Sequence, residues 1–227
     1  MTTINGYRMD GLGNDFIIID RRKNEIKLSK EQIIKTSDRN NVGFDQIIYI
    51  EKEINNTFPI TIYNSDGNEV DACGNGARCI AYLLSKEKNT KQIVLKTNNR
   101  LLDANITEDL TVELKMGKPL FNWNEIPLAK KLDNKNITIN INGEQLVEGF
   151  CLNVGNPHII FFVDEIKNFD ISKIGPQIEN HKMFPERCNV TIAQVMNKNL
   201  IKVKVWERGA GLTKACGTAA CATAFAG

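Results

Sequence analysis

The sequence predicts an α+β fold built from two similar halves. The candidate strands are short, they outnumber the candidate helices, and turns rich in Asn, Asp and Gly separate them. In each half a cysteine stands at the predicted start of a helix, Cys73 in the first and Cys216 in the second. Similar motifs precede the two cysteines at similar distances, which indicates a duplicated domain.

The first half begins with a predicted strand and a predicted helix. The run Phe16–Asp20 favours a buried strand because it is short, β-branched and preceded by glycines. Ser29–Thr36 favours a helix capped by Ser29, with Gln32 completing a capping box. The further strands that we predict in this half are Ile47–Ile50, Pro59–Tyr63, Ile93–Thr97, Leu101–Ile106 and Thr111–Met116.

Cys73 is predicted to lie at the N-terminus of the second helix. The polar turn Asn64–Asn68 separates it from the preceding strand, and from Ala77 to about Lys86 apolar residues recur at helical spacing. The first N–H groups of a helix point outward, bind anions and lower the pKa of a nearby thiol. We therefore expect an activated thiol at Cys73.

The second half repeats two motifs of the first. The segment Gly155–Asp164 is similar to Gly13–Asp20, and Ala215–Thr218 is similar to Ala72–Asn75. The distance from the glycine to the cysteine is 60 residues in the first half and 61 in the second. Agreement in both motif and spacing favours duplication over coincidence.

A second pair of residues has the same spacing, and it extends the repeat. Gln46 precedes Cys73 by 27 residues, and Asn189 precedes Cys216 by 27. We place the boundary between the halves at a segment rich in Gly and Pro, which gives repeats over residues 1–117 and 118–227. The second repeat ends 11 residues after Cys216. We expect it to be truncated, with roughly 40–50 further residues needed to match the first.

Composition excludes several classes of function. Lys and Arg number 29, Asp and Glu 27, and no basic stripe supports binding to nucleic acid or a membrane surface. No apolar run approaches the roughly 18 residues of a membrane span. The first eight residues lack the apolar core of a signal peptide, so we expect a cytoplasmic protein with reduced cysteines. No Cys-x-x-Cys pair occurs, and we expect no metal site.

Two opposed thiols suit inversion of a stereocentre. If the halves face each other, the two helix N-termini border a cleft that suits a carboxylate. One thiolate can then remove a proton from a carbon while the opposite thiol returns one to the other face. His158 and Glu207 are candidate catalytic partners, since both are titratable and lie in polar clusters near these motifs.

Motifs along nearly the whole chain resemble the diaminopimelate epimerase family. The matching residues are Met9, Gly11, Gly13–Phe16, Gly43, Asp45-Gln46, Asn64, Asp66-Gly67, Cys73–Gly76, Arg78-Cys79, Asn153, Gly155–His158, Phe184–Arg187, Asn189-Val190, Glu207–Gly209, Gly211, Thr213 and Ala215–Thr218. The sequence departs from the family pattern at Leu212, Lys214 and Ala219. The resemblance implies two domains, each a curled, mostly antiparallel sheet or barrel around a central helix, and a homodimer.

The resemblance also implies an activity and a set of residues. The expected reaction is the interconversion of LL- and meso-diaminopimelate through Cys73 and Cys216, without pyridoxal phosphate or another cofactor. The residues expected to present backbone donors to the reacting carboxylate are Gly74, Asn75, Gly217 and Thr218. Those expected to line the reacting end are Asn14, Gln46, Glu207 and His158. Those expected to hold the distal end are Asn64, Asn156, Asn189 and Arg208.

Two alternatives remain open. One is another two-thiol racemase, acting on proline or hydroxyproline; Arg208 and the asparagines argue against it, because proline has no distal amino acid end to bind. The other is a redox sensor or a thiol-bound metal carrier that uses Cys73 and Cys216. It predicts a bound metal ion or a functional disulfide, and no turnover of an amino acid.

Overall fold

A computed structural model describes residues 4–70, 73–98, 100–141 and 143–227. Ala72, which belongs to one of the repeated motifs, lies outside the described residues. The chain forms two compact units, Met1–Gly117 and Lys118–Gly227, each with its own sheet. The α+β class is confirmed. In the described ranges, no helix is both long and apolar enough to cross a membrane.

The first unit contains one eight-stranded sheet and two helices. Its strands are β1 (Tyr7–Gly11), β2 (Asn14–Asp20), β3 (Gln46–Ile50), β4 (Thr57–Asn64), β5 (Glu69–Val70), β6 (Gln92–Lys96), β7 (Leu101–Ile106) and β8 (Val112–Lys115). Its helices are α1 (Lys30–Ser37) and α2 (Gly74–Lys88). The strand order is β1-β2-β3-β4-β6-β7-β8, with β5 also paired to β4. The pairs β2–β3 and β4–β6 are parallel and the other described pairs are antiparallel.

The helix starts follow from local sequence. Ser29 caps α1, and its side chain and that of Gln32 bond reciprocally to each other's backbone N–H, which confirms the capping box. Cys73 caps α2, which begins at Gly74 and ends two residues beyond the predicted Lys86. The end is set by Asn89, whose φ of 52° is the left-handed conformation that terminates helices.

The two helices of the first unit cover opposite faces of the sheet. Ala77, Ile80 and Leu84 of α2 are buried in one cluster with strand residues such as Phe16 and Ile48. Burying an isoleucine or leucine side chain of this kind contributes about 1.5–3 kcal/mol. On the other face, α1 packs in a separate cluster that contains Ile33, Phe44, Ile47, Tyr49 and Tyr63.

The second unit contains one six-stranded sheet and two helices. Its strands are β9 (Ile137–Ile141), β10 (Glu144–Asn153), β11 (Pro157–Phe162), β12 (Asn189–Asn197), β13 (Leu200–Glu207) and β14 (Gly211–Leu212). Its helices are α3 (Ile171–Glu179) and α4 (Gly217–Ala226), with a short 3-10 turn at Ile166–Asn168. The strand order is β14-β13-β12-β11-β10-β9, and β11–β12 is the parallel pair among those described.

Strand register shows the predicted repeat directly. In the first unit Phe16 of β2 lies opposite Gln46 of β3 in a parallel pair. In the second unit His158 of β11 lies opposite Asn189 of β12, again in a parallel pair. A helix connects the strands of each pair, α1 in one and α3 in the other. The predicted pseudo-symmetric repeat of the fold is therefore confirmed.

Candidate active site

The predicted site residues divide between the two units. Those in the first unit are Asn14, Gln46, Asn64, Cys73, Gly74 and Asn75. Those in the second unit are Asn156, His158, Asn189, Glu207, Arg208, Cys216, Gly217 and Thr218. All six cysteines are free thiols. Among the described residues, no group of three or more His, Cys, Asp or Glu side chains is arranged to hold a metal ion.

The helix backbone holds the thiol of Cys73. Cys73 has extended φ and ψ angles of −143° and 104°, and its Sγ accepts a hydrogen bond of 3.3 Å from the N–H of Gly76. Gly74 and Asn75 form the first turn of α2 beside it. A side chain at Gly76 would meet the sheet, because an added Cβ would lie 2.4 Å from Cδ1 of Ile48. The close packing of Gly76 thus brings its N–H to the sulfur.

An amide from β2 contacts the same thiol. Cys73 donates to Oδ1 of Asn14 at an Sγ–O distance of 3.9 Å. Gln46 and Asn64 lie opposite each other in the β3–β4 pair, and Nε2 of Gln46 donates to Oδ1 of Asn64 at 2.8 Å. The buried Oε1 of Gln46 has no hydrogen-bond partner among the described residues. A buried acceptor without a partner is costly, so a ligand N–H there would be stabilising.

The second thiol is the last member of a chain of polar contacts. Cys216 caps α4, and its Sγ lies 3.3 Å from Oγ1 of Thr218. Nδ2 of Asn156 donates to that hydroxyl at 3.4 Å, and Oδ1 of Asn156 lies 2.9 Å from Nε2 of His158. His158 is thus connected to Cys216 through two intermediate side chains.

His158 is a buried, neutral ring. Its side chain is fully buried, and burial, reinforced by the positive charge of Arg208, lowers its pKa to about 3. Since Oδ1 of Asn156 can only accept, Nε2 of the ring carries the proton. Phe16, at the equivalent register position in the first unit, is also fully buried. We predicted His158 as a catalytic partner of the thiols, and this environment suits a partner that orients Asn156.

Burial dominates the electrostatics of Cys216. Burial, together with the nearby carboxylate of Glu207, raises the pKa of its thiol to about 12. The effect of a helix N-terminus, which we expected to lower the pKa of Cys73, does not decide the pKa of Cys216, because desolvation of the thiolate outweighs the helix. Glu207 itself accepts a hydrogen bond from the hydroxyl of Thr213. A neutral thiol beside a carboxylate suits a group that donates a proton.

The backbone around Arg208 is fixed by a buried asparagine. Oδ1 of Asn189 accepts from the backbone N–H of Arg208 at 3.0 Å, and Nδ2 of Asn189 donates to the carbonyl of Pro157 at 2.9 Å. The guanidinium of Arg208 donates to the carbonyl of Glu186 at 3.0 Å. Asn189 thus ties β11 to the start of the Arg208 turn.

Sequence reasoning missed Glu179, which anchors the same turn. Glu179 ends α3 and is buried, and it accepts hydrogen bonds from Arg187 Nη1 at 3.2 Å, Trp206 Nε1 at 2.7 Å and the Gly209 N–H at 2.9 Å. A buried carboxylate needs several donors to offset its desolvation, and these three supply them. The available signal was an acidic residue directly after the buried Ile178 on an amphipathic helix.

Comparison with known sequences decides the family. The sequence model of the family described as "Diaminopimelate epimerase" matches residues 6–121 and 150–227. The chain belongs to the diaminopimelate epimerase family. A relative of that name from Pelagibacter ubique (strain HTCC1062) is 56% identical over 98% of this chain and 82% of its own length. Another, from Wolbachia sp. subsp. Brugia malayi (strain TRS), is 41% identical over 100% of this chain and 85% of its own length.

Solved structures share the fold of this family member at low identity. A phenazine biosynthesis protein of the PhzF family from Bacillus anthracis has a TM-score of 0.65 at 14% identity, covering 100% of this chain and 80% of its own. A probable proline racemase from Agrobacterium radiobacter K84 has a TM-score of 0.62 at 12% identity, and the match covers 99% of this chain and 77% of the racemase chain. At these identities the similarity establishes the architecture alone.

Proposed function

We propose that this chain interconverts LL- and meso-diaminopimelate, with Cys73 and Cys216 as the two proton-transfer groups. Family membership supplies the reaction. The observation that carries the residue assignment is the similar setting of the two thiols, each at the N-cap of a helix. Cys73 contacts Asn14 directly, and Cys216 contacts Thr218, which accepts a hydrogen bond from Asn156.

The proposed reaction moves one proton at each face of the α-carbon. A thiolate takes the α-proton, so an S–H bond forms while the C–H bond breaks and its electron pair is delocalised onto the carboxylate. The opposite thiol then gives its proton to the other face, which inverts the centre and leaves the second sulfur as the thiolate. The N–H groups at Gly74, Asn75, Gly217 and Thr218 would stabilise the added negative charge on the carboxylate oxygens.

The properties of Cys216 support its assignment as the initial proton donor. Its raised pKa keeps the thiol protonated at neutral pH, which leaves Cys73 as the thiolate that begins the cycle. In the reverse direction Cys216 must lose its proton, and the carboxylate of Glu207 lies close enough to affect its pKa. Asn14 and Gln46 are proposed to line the reacting end beside Cys73.

The distal end of the substrate is assigned to a second group of side chains. Arg208 is proposed to form a charge-assisted bond to the distal carboxylate. The amides proposed to bind the distal amino acid end with it are those of Asn64, Asn156 and Asn189. The hydrogen bonds of Asn189 to Pro157 and to the Arg208 backbone support an additional function for Asn189 in holding that arginine.

Turnover of defined amino acids tests this proposal. The reduced protein is incubated with LL-diaminopimelate, alanine, proline or hydroxyproline, and the stereoisomers are separated by chiral chromatography. We expect meso-diaminopimelate to form and the other amino acids to stay unchanged. We expect Cys73→Ser and Cys216→Ser each to lower the rate by about a thousandfold or more, and the control Cys221→Ser, on the same helix as Cys216, to retain it. Turnover of proline alone, or full activity of either serine variant, would contradict the proposal.

We further propose that the protein acts in the cytoplasm as a homodimer. Membership of the diaminopimelate epimerase family supports the location. The family resemblance described above supports the dimer. Light scattering at micromolar concentration is expected to give twice the mass of one chain, and a monomer mass at that concentration would contradict the assembly.

A further inference from the structure

A carboxylate behind Asn14 fixes which end of that amide faces Cys73. Nδ2 of Asn14 donates to Oδ2 of Asp45 at 2.8 Å, and the same oxygen accepts from the backbone N–H of Asp15 at 3.0 Å. An ionised carboxylate has acceptors but no donor, so only the NH₂ end of Asn14 can face it. The carbonyl end, Oδ1, must then point the other way, and there it lies 3.9 Å from Sγ of Cys73.

We propose that Asp45 is a positioning residue for the Cys73 thiol, because by fixing the amide of Asn14 it gives the sulfur an acceptor on that side and keeps a donor away. The inference rests on the proposed function, in which Cys73 is one of the two proton-transfer groups. Asp45 acts through Asn14 in this arrangement.

Two of the contacts of the Cys73 sulfur are unlike in character. The N–H of Gly76 donates to Sγ at 3.3 Å and stabilises the thiolate, whereas Oδ1 of Asn14 accepts from the S–H and stabilises the thiol. A sulfur that must take up and release a proton in each catalytic cycle needs both its thiol and its thiolate form to be accessible. A freed Asn14 would be able to turn its NH₂ group toward the sulfur and favour the thiolate alone.

The other oxygen of Asp45 belongs to an ion-pair network. Oδ1 of Asp45 accepts from Arg39, whose guanidinium also binds Asp15. Arg8 donates to Asp15 as well, and the hydrogen bond from Arg39 lowers the pKa of Asp15 to about 2. The side chain of Arg39 is 58% exposed. The two oxygens of Asp45 therefore do separate things, one orienting Asn14 and one pairing with a surface arginine, and substitutions can separate them.

The second unit contains a comparable arrangement with different chemistry. There His158 fixes the amide of Asn156, which donates to Thr218, the neighbour of Cys216. Asn14 and Asn156 stand at equivalent positions, each two residues before the strand residue that begins the parallel pairing, Phe16 or His158. In each unit a further side chain, Asp45 or His158, therefore sets the orientation of the asparagine near the thiol.

Three variants separate orientation from ion pairing. Asp45→Ala removes both the acceptor for Asn14 and the partner of Arg39. Asp45→Asn keeps a carbonyl oxygen that can take the place of Oδ2, and loses the ion pair. Arg39→Ala keeps Asp45 and removes its ion pair, together with the ion pair between Arg39 and Asp15. For each variant, the rate at which iodoacetamide alkylates Cys73 is followed by peptide mass spectrometry from pH 6 to pH 10, and kcat is measured in both directions.

We expect Asp45→Ala to shift the alkylation midpoint of Cys73 to lower pH, because the acceptor that stabilises the thiol is lost. We expect it to lower kcat about tenfold or more, since small misplacement of a reacting group is costly. Asp45→Asn and Arg39→Ala should keep the wild-type midpoint and stay within about threefold in kcat. An unchanged midpoint in Asp45→Ala, or a shift in Arg39→Ala as large as that in Asp45→Ala, would overturn the proposal.

A fourth variant keeps the test decisive if Asp45→Ala does not fold. Asn14→Ala removes the acceptor itself, and it should lower the alkylation midpoint of Cys73 in the same direction; an unchanged or higher midpoint would overturn the inference. The alkylation measurements need no substrate. If the wild-type protein did not epimerise diaminopimelate, the proposed function would be wrong. The alkylation midpoints of the variants would still show whether Asp45 positions the Cys73 thiol.

Discussion

The indole Nε1–H of Trp206 donates a hydrogen bond of 2.7 Å to the buried carboxylate of Glu179. The contact joins the end of α3 to the end of β13, immediately before the turn that carries Arg208. The same carboxylate accepts the N–H of Gly209 on the far side of that arginine. Glu179 therefore holds the chain on both sides of Arg208, at Trp206 and at Gly209. Through these bonds α3 fixes the position of a residue proposed to bind the substrate.

We predict that Glu179→Gln lowers the free energy of unfolding by about 2–4 kcal/mol, because the amide NH₂ of glutamine would face a donor in a buried site. Urea denaturation measures the change. The matched control is Glu165→Gln, which breaks an exposed pair with Lys167 and should cost less than about 0.5 kcal/mol. We also expect KM for diaminopimelate to rise in Glu179→Gln. Equal stability of the two variants would refute the anchoring role.

Gly76→Ala is predicted to destabilise the first unit by about 1–3 kcal/mol, because the added Cβ meets a fully buried Ile48 at 2.4 Å. Gly74→Ala in the same helix is the control for stability. There the nearest atom lies 3.8 Å away, so alanine should be neutral or stabilising by up to about 1 kcal/mol. Thermal unfolding compares the two. Equal melting temperatures of Gly76→Ala and Gly74→Ala would contradict the prediction, because they would mean that Ile48 moves aside at no cost.

His158 is predicted to make stability fall in mild acid. Its pKa is about 3 in the folded state and about 6.5 when unfolded, so the unfolded chain binds a proton that the folded chain excludes. The contribution of the neutral His158 to the free energy of unfolding is therefore fully present above pH 6.5, and it is lost as the pH decreases toward 3. Between pH 5.5 and 3.5, the free energy of unfolding of His158→Gln should therefore decrease less steeply than that of the wild type, by about 1.4 kcal/mol per pH unit.

Urea denaturation across that pH range measures the effect, with His181→Gln as the control. His181 is only half-buried, and its pKa is also lowered by burial and by Lys182. His181→Gln should therefore change the pH dependence of the free energy of unfolding less than His158→Gln does. A His158→Gln protein with the wild-type slope would mean that the ring is not excluded from protonation in the folded state.

Glu207→Gln is predicted to make Cys216 more reactive toward alkylation. Burial and the Glu207 carboxylate together raise the pKa of this thiol to about 12, so removing the negative charge should move the alkylation midpoint to lower pH. Iodoacetamide labelling followed by peptide mass spectrometry gives the midpoint. Cys79, whose pKa burial raises to about 11 in the first unit, is an internal control that should not respond. A midpoint that stays constant or increases would exclude the proposed coupling.

Features set by short stretches of sequence were predictable. The capping box of Ser29 and Gln32 and the capping positions of Cys73 and Cys216 depend on a few neighbouring residues, and the structure has them as predicted. The repeat was predictable because two independent spacings agreed. Strands β9 and β10 were not predicted, although the alternating Ile137–Ile141 followed by an Asn-Gly pair is a strong hairpin signal.

Features that depend on distant contacts were not predictable. Nothing local to Asp45 indicates that its carboxylate orients Asn14, 31 residues away. Glu179 and Trp206 are 27 residues apart, and their bond exists only once α3 packs against β13. The raised pKa of Cys216 was also missed, because a helix N-terminus can be inferred from sequence whereas burial depends on the surrounding fold.

Exchange of the α-proton in heavy water is a direct test of the two-thiol mechanism. Reduced protein is given LL-diaminopimelate in deuterium oxide, and the α-position of the meso product is examined by NMR and mass spectrometry. The two-thiol mechanism predicts one deuterium at the inverted centre of each product molecule, and loss of that product in both Cys73→Ala and Cys216→Ala. Product that forms with its original α-proton, or at the wild-type rate in either alanine variant, would contradict it.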